Sequence, residues 1–270
     1  MITFIPQGGL CNRMRSLDAA ISLAHKAETS LIVQWHKDPG LNADLHHLFE
    51  LPECIIRVDT ISYNDIFAQL RKSIRKRIYK MGFDYYFSNT DIMELYNDEN
   101  KLIEIASKNH ICIAACMRFI NDRSYYRHLK PLPNILDEVK KAVERHSDLV
   151  GVHVRRADHQ VATRRSPLSS FVDAMEAEIE KNQLTKFFVA SDSDDIVDKL
   201  VFQFPGRIIT FSKTSLARDR ETSIIDAMID LYSLSRTRKI IGSYSSSFSE
   251  EAAKIGNIEL MTIDIDDAVK

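Results

Sequence analysis

Short apolar runs alternate without a break with amphipathic stretches through the second half of this chain, and no other feature narrows the fold as far. The runs lie at 149–154, 186–190, 207–211, 238–242 and 259–263. The stretches between and beside them, near 169–182, 194–202, 222–236 and 248–255, carry apolar residues at helical spacing. A short, continuous apolar run reads as a strand buried on both faces. Such strands separated by helices build a parallel sheet covered by helices on both sides.

The first half opens the same way. A strand at Ile2 to Pro6 runs into a turn at Gly8-Gly9, then into a helix with one apolar stripe of Leu10, Met14, Leu17, Ile21 and Ala24. A second strand, Leu31 to Gln34, follows at crossover distance. Further strands are expected near Ile55 to Val58 and Ile111 to Ala115, with helices in the stretch between them. The segment Lys130-Pro131-Leu132-Pro133 precedes a helix at 134–146 that leads into the second half. A chain of 270 residues is long for one domain and comfortable for two. The expected architecture is α/β, with Rossmann-like domains at 1–147 and 148–270 whose parallel sheets face each other across a cleft.

A formal net charge of −2 excludes a broadly basic surface, and with it general affinity for nucleic acid. An anionic ligand would be bound locally. Cys11, Cys54, Cys112 and Cys116 are too sparse for a disulfide scaffold and fit no zinc-ligand spacing, so they read as reduced core residues. The opening MITFIP turns polar too soon for a signal peptide, and no run is long enough to span a bilayer. These features predict a soluble, cytoplasmic protein.

In an open parallel sheet, ligands bind beyond the carboxyl ends of the strands. Three strands of the second half end in dense polar chemistry. One, within GVHVRRAD, delivers His153, Arg155, Arg156 and Asp158; FFVASDSDD delivers Ser191, Asp192, Ser193 and Asp194; RKIIG is followed by Ser243 to Ser247. Parallel strands bring these loops to one edge, and that convergence says more than any single loop.

Two adjacent guanidiniums at a strand end suit bidentate contacts to phosphate, although the same pair can be solvated or tie down a loop through Asp158. Ser247-Phe248-Ser249-Glu250 fits a capping box. A helix start with several hydroxyls is equally a phosphate cradle. Ser191 and Asp192 can serve only to start the next helix. In the first half, Gly8 and Gly9 permit close backbone approach to a ligand, or make a plain turn. Asn12 and Arg13 follow in the first helical turn.

Together these four loops resemble the motif set of the GDP-fucose-dependent fucosyltransferases, namely the Nod-factor and core α1,6 enzymes and, more distantly, the protein O-fucosyltransferases. GVHVRRAD is similar to the family's signature loop and FFVASDSDD to its second motif. IIDAMIDLYSLSRTRKIIGSYSSSFSEEAA is similar to the third, and GGLCNRMRSLDAA to the N-terminal glycine motif. The likeness covers residues 1–25 and most of 148–256.

The resemblance implies a GT-B fold and inverting transfer of L-fucose from GDP-fucose, with no metal or further cofactor; the acceptor, expected to be an oligosaccharide or lipid-linked glycan, is not fixed by it. It implies that Arg155 holds the β-phosphate, with Arg156 supporting the loop or the pyrophosphate. His153 and Asp230 would contact the guanine or ribose side. Ser246 and Ser247, with Ser245 beside them, would bind phosphate oxygens, and Asp192 occupies the acidic position of the second motif. Gly8, Gly9, Asn12 and Arg13 would complete the cleft. A fixed guanidinium at the β-phosphate can stabilise the charge that builds on departing GDP, as magnesium does elsewhere.

One departure concerns the base. The core enzymes place a glutamate shortly after the signature aspartate, whereas His159-Gln160-Val161-Ala162-Thr163-Arg164-Arg165 contains no carboxylate. His159 is a candidate because its ordinary pKa suits proton transfer; Asp158 and Asp18 are others, and the base stays unassigned. The departure leaves open a catalytically weak or inactive GDP-sugar-binding protein, or a transferase using another GDP-sugar.

Arg71, Lys72, Arg75, Arg77 and Lys80 alternate at helical spacing with Leu70, Ile74, Ile78 and Met81. This 71–80 segment reads as a solvated basic helix, or as a peripheral contact with an anionic inner membrane face carrying the acceptor. Phe83, Tyr85, Tyr86 and Phe87 offer a stacking platform for a sugar.

Overall fold

The computed structural model describes residues 1–62, 82–122, 125–146, 148–156, 160–213 and 219–266. Asp158, His159 and the basic segment 71–80 lie outside these residues. The chain divides into two compact units. One is Met1–Leu132 with a short stretch ending at Ile224; the other is Pro133–Leu216 with Ile225–Lys270. The helix Pro133–Val143, which buries Ile135, Val139 and Val143, thus belongs to the second unit. A boundary at 147 would have left it in the first.

The first unit contains β1 (Ile2–Pro6), β2 (Leu31–Lys37), β3 (Phe49–Glu50), β4 (Ile55–Ser62), β5 (Tyr85–Phe87), β6 (Ile111–Ala115) and β7 (Lys130–Pro131). Five of these form a parallel sheet in the order β4-β2-β1-β6-β5, and β3 pairs antiparallel with β7. Central β1 buries Ile2 and Phe4 completely, as an unalternated apolar run should.

The helix Leu10–Lys26 is buried well beyond the single stripe expected, because Cys11, Ala19, Ala20 and Leu23 are covered too. It packs on β1 and β2 and also against the helix Glu99–Lys108. The aromatic cluster supplies the edge strand β5, where Tyr85 and Phe87 stack at 6.0 Å and 4° because alternate residues share a face.

The second unit holds β8 (Val150–Val154), β9 (Phe187–Ser191), β10 (Ile208–Ile209), β11 (Lys239–Ser243) and β12 (Glu259–Ile263), all parallel, in the order β10-β9-β8-β11-β12. Val150, Val152 and Val154 pack with Phe171 and Met175 of the helix Leu168–Lys181 and with Leu200 of the helix Asp194–Gln203. On Gly242, a Cβ would stand 2.6 Å from the Cβ of Ser249, so only glycine lets the helix Ser247–Gly256 approach β11 this closely.

At the amino edge of this sheet, Glu178 is buried and accepts hydrogen bonds from Lys181 (2.8 Å), Lys239 (2.8 Å) and Arg238 (2.6 Å). Burial by itself would raise its pKa; these three cations overcome that and hold it at about 2. No helix among the described residues is long and apolar enough to cross a membrane.

Candidate functional site

The chain runs from β8 outward through β9 and β10, then returns to add β11 and β12 on the other side. Loops leaving β8 and β11 therefore diverge, and this switch point at the carboxyl edge is where such sheets receive ligands. His153, Arg155, Arg156, Ser191, Asp192 and Ser243, all expected at this edge, are brought together here. His153, the penultimate residue of β8, is buried, with Nδ1 2.8 Å from Ser249 Oγ and 3.4 Å from Ser246 Oγ. Its ring stacks on Phe248 at 4.7 Å. Burial, followed by the nearby Lys213 and Arg155 cations, pushes its pKa down to about 3, so the imidazole is neutral.

Ser243 Oγ accepts from the Arg155 N–H at 2.9 Å and donates to the His153 carbonyl at 3.3 Å, tying the ends of β8 and β11 together. The two arginines then part company. Arg156 turns its guanidinium onto the carbonyls of Arg155 (2.8 Å) and Ser166 (3.0 Å), while its N–H donates to Asp192 Oδ1 at 2.7 Å. Arg156 and Asp192 thus hold the loop that carries Arg155. Ser191 adds a further tie, donating to the Val154 carbonyl at 2.7 Å.

The loop after β11 is anchored as firmly. The Tyr244 N–H donates to Ser166 Oγ at 2.8 Å, Ser166 Oγ donates to the Ile263 carbonyl at 2.6 Å, and Arg165 covers the Tyr244 ring at 3.7 Å. Ser245 is exposed with φ of 49°, a left-handed conformation that costs a serine free energy. The expected Ser247 capping box does not form: the N-cap is Ser246, whose hydroxyl makes no capping bond and faces His153 instead. The first amides of the helix are therefore left without a side-chain cap, which suits an anion.

Asp230, expected from the third motif, is buried on the helix Glu221–Leu234 and pairs with Lys213 at 2.8 Å. Sequence reasoning missed Lys213. The signal was there, because Lys213 follows β10 at the same carboxyl edge. Burial raises the Asp230 pKa to about 6, although Lys213 opposes the rise; Asp226 adds to it.

In the N-terminal unit, Gly8 has φ of 83°, and a Cβ there would stand 2.9 Å from Asn12 Nδ2, so both backbone and space require glycine. Gly9 is the N-cap of the helix Leu10–Lys26, and Asn12 Oδ1 is buried without a hydrogen-bond partner. Arg13 departs from expectation. It is 2% exposed, and its guanidinium binds the carbonyls of Gly8 (2.7 Å) and His36 and the carboxylate of Asp38, so it braces the turn from inside instead of facing a ligand. Asp18 is likewise buried, accepting from Arg118 and from the Tyr126 N–H, which fits a structural carboxylate better than a base.

Asp44, His47 and Glu221 bring potential metal-ligand atoms within 4.8 Å of one another. They are satisfied without an ion: Lys37 donates to Asp44 at 2.7 Å, and His47 Nδ1 lies 2.9 Å from Glu221.

No protein-family model and no curated protein matches the sequence. Solved structures do. NodZ alpha-1,6-fucosyltransferase, known from Bradyrhizobium, was solved soaked with GDP-fucose and is 22% identical, with a TM-score of 0.62 over 94% of this chain and 92% of that one. POFUT1 in complex with GDP-fucose is 13% identical, with a TM-score of 0.59 over 98% of each chain. An Arabidopsis thaliana FUT1 variant in complex with GDP is 15% identical, with a TM-score of 0.60 over 97% of this chain and 69% of that one. The chain has the fold of these fucosyltransferases. Its two parallel-sheet units are the GT-B-like architecture expected from the sequence.

Proposed function

We propose that this chain is a glycosyltransferase that moves L-fucose from GDP-fucose to an oligosaccharide or lipid-linked glycan, with inversion and without a metal. The observation that carries the reading is the meeting of the β8, β9 and β11 loops at the switch point of the second sheet, in a fold shared with proteins solved with GDP-fucose. Arg155 would hold the β-phosphate, its backbone fixed by Ser243 and its loop by Asp192 and Arg156. The amides at the start of the helix Ser247–Gly256, with Ser245 and Ser247, would supply further donors to the diphosphate.

In the transition state, negative charge grows on the departing GDP and positive charge on the sugar ring. A guanidinium held in place before reaction stabilises the former without reorganisation, and so takes a divalent ion's role. The buried neutral His153 and the Asp230 carboxylate would face the guanine or ribose side. Asp158 and His159 stay candidates for orienting Arg155 and for the base. Peripheral contact of 71–80 with a membrane belongs to the same proposal.

The test is a metal-free titration of GDP, GDP-fucose, GDP-mannose and UDP-glucose into wild type and Arg155→Ala. The expected result is selective binding of GDP and GDP-fucose, weakened at least tenfold in the variant. Binding of GDP with no transfer to any acceptor would indicate an inactive binding protein. Preference for GDP-mannose would move the donor assignment. No guanine-nucleotide binding would overturn the reading.

A further inference from the structure

Within the second unit, the Lys213–Asp230 pair combines a buried charge with an unanswered acceptor. Asp230 is 3% exposed; Oδ2 accepts from Lys213 Nζ at 2.8 Å, while Oδ1 is buried with no hydrogen-bond partner. A carboxylate oxygen in that position is costly unless a ligand's donor reaches it. Lys213 is itself mostly buried and also donates to the Ser191 carbonyl at the end of β9, which pins its ammonium to the sheet edge. Asp226, one turn earlier on the same helix, faces Asp230; Lys213 also faces the neutral His153, which has Arg155 nearby.

We infer that Lys213 is a positioning residue for base recognition: by occupying Oδ2 it keeps Asp230 ionised and leaves Oδ1 to accept from the N–H donors of guanine. The inference rests on the GDP-sugar site proposed above. Guanine presents N1–H and an amino group along one edge, whereas adenine presents a bare N1 acceptor there, so an ionised carboxylate favours GDP over ADP. Without Lys213, burial and Asp226 would drive Asp230 to its protonated form near neutral pH. The acceptor would be lost although the fold's shape remained.

The experiment measures the ratio of ADP to GDP dissociation constants from pH 5 to 9 in wild type, Lys213→Met, Lys213→Arg and Asp230→Asn. The ratio cancels diphosphate protonation, which both nucleotides share. Wild type should prefer GDP above pH 7 and lose that preference as the pH falls through about 6. Lys213→Met should reduce the preference at pH 7 about tenfold or more and displace its midpoint upward. Lys213→Arg should restore both, and Asp230→Asn should make the ratio independent of pH.

Wild-type preference retained in Lys213→Met with an unmoved midpoint would overturn the Lys213 assignment alone. No GDP preference in wild type would overturn the donor reading and the inference with it. If Lys213→Met fails to fold, judged by circular dichroism, the isosteric Asp230→Asn decides: a pH dependence identical to wild type's refutes the inference.

Discussion

Replacing Glu178 by glutamine tests how the amino edge of the second sheet is held. The carboxylate is 4% exposed and carries hydrogen bonds from Lys181, Arg238 and Lys239, which together keep its pKa at about 2 against an ordinary 4.5. At about 1.4 kcal/mol per pKa step, that displacement is worth about 3 kcal/mol of stability at neutral pH. The sign follows from the depressed folded pKa. Above 4.5 both folded and unfolded carboxyls are ionised and the contribution is complete; as the pH falls from 4.5 toward 2 the unfolded chain takes the proton first, and the contribution disappears.

The single tryptophan, Trp35, sits in the other unit, so its fluorescence would report the wrong transition. A urea titration read by hydrogen exchange in peptides covering β8 and β11 reports the right one. Glu178→Gln should lower the unfolding free energy there by about 3 kcal/mol at pH 7, with the gap shrinking to less than half by pH 3. A gap that stays constant with pH would mean that packing, not charge, holds this edge. A gap below about 1 kcal/mol at pH 7 would refute the reasoning outright.

Other consequences are equally direct. Arg13→Met takes the guanidinium from the Gly8 and His36 carbonyls and from the half-buried Asp38 carboxylate, and should destabilise the first unit by about 2 kcal/mol in urea melts followed by Trp35 fluorescence. Gly242→Ala drives a methyl against Ser249 and should cost about 1–3 kcal/mol, read by thermal melts; if the proposed GDP-sugar site is right, it should also weaken GDP binding in titrations by displacing the His153 contact. The His153 ring should show no NMR titration between pH 5 and 8; a midpoint near 6.5 would contradict its burial. Because folded His153 stays neutral while the unfolded imidazole takes a proton below its ordinary 6.5, its contribution to stability is lost as the pH falls beneath that value.

Most strands and helices were legible from local periodicity. The runs at 149–154 and 238–242 became β8 and β11, and Ile2 to Pro6 became β1 as expected. The shared edge of His153, Asp192 and Ser243 was legible too, because parallel strands joined by helices must end on one side. Local pattern failed at β5, whose three aromatic residues are too few to show alternation and which is a strand only because β6 pairs with it. It also failed at the helix start, where Ser247 and Glu250 have capping-box spacing but His153 claims the Ser246 hydroxyl and shifts the cap by one residue.

The largest differences concern charged side chains. Arg13, Arg155 and Arg156 look alike in sequence, yet Arg13 braces a turn from inside, Arg156 braces a loop, and Arg155 has its backbone N–H tied to Ser243 at the end of β11. In the sequence Lys213 is one of 36 lysines and arginines; it matters because the chain leaving β10 brings it to Asp230. Backbone periodicity depends on neighbours a few residues away, so the sequence by itself determined most of the elements and the edge on which the polar loops gather. The strand order, and the partner each buried charge would find, depend on contacts between residues far apart in the chain, and those only the tertiary structure decided.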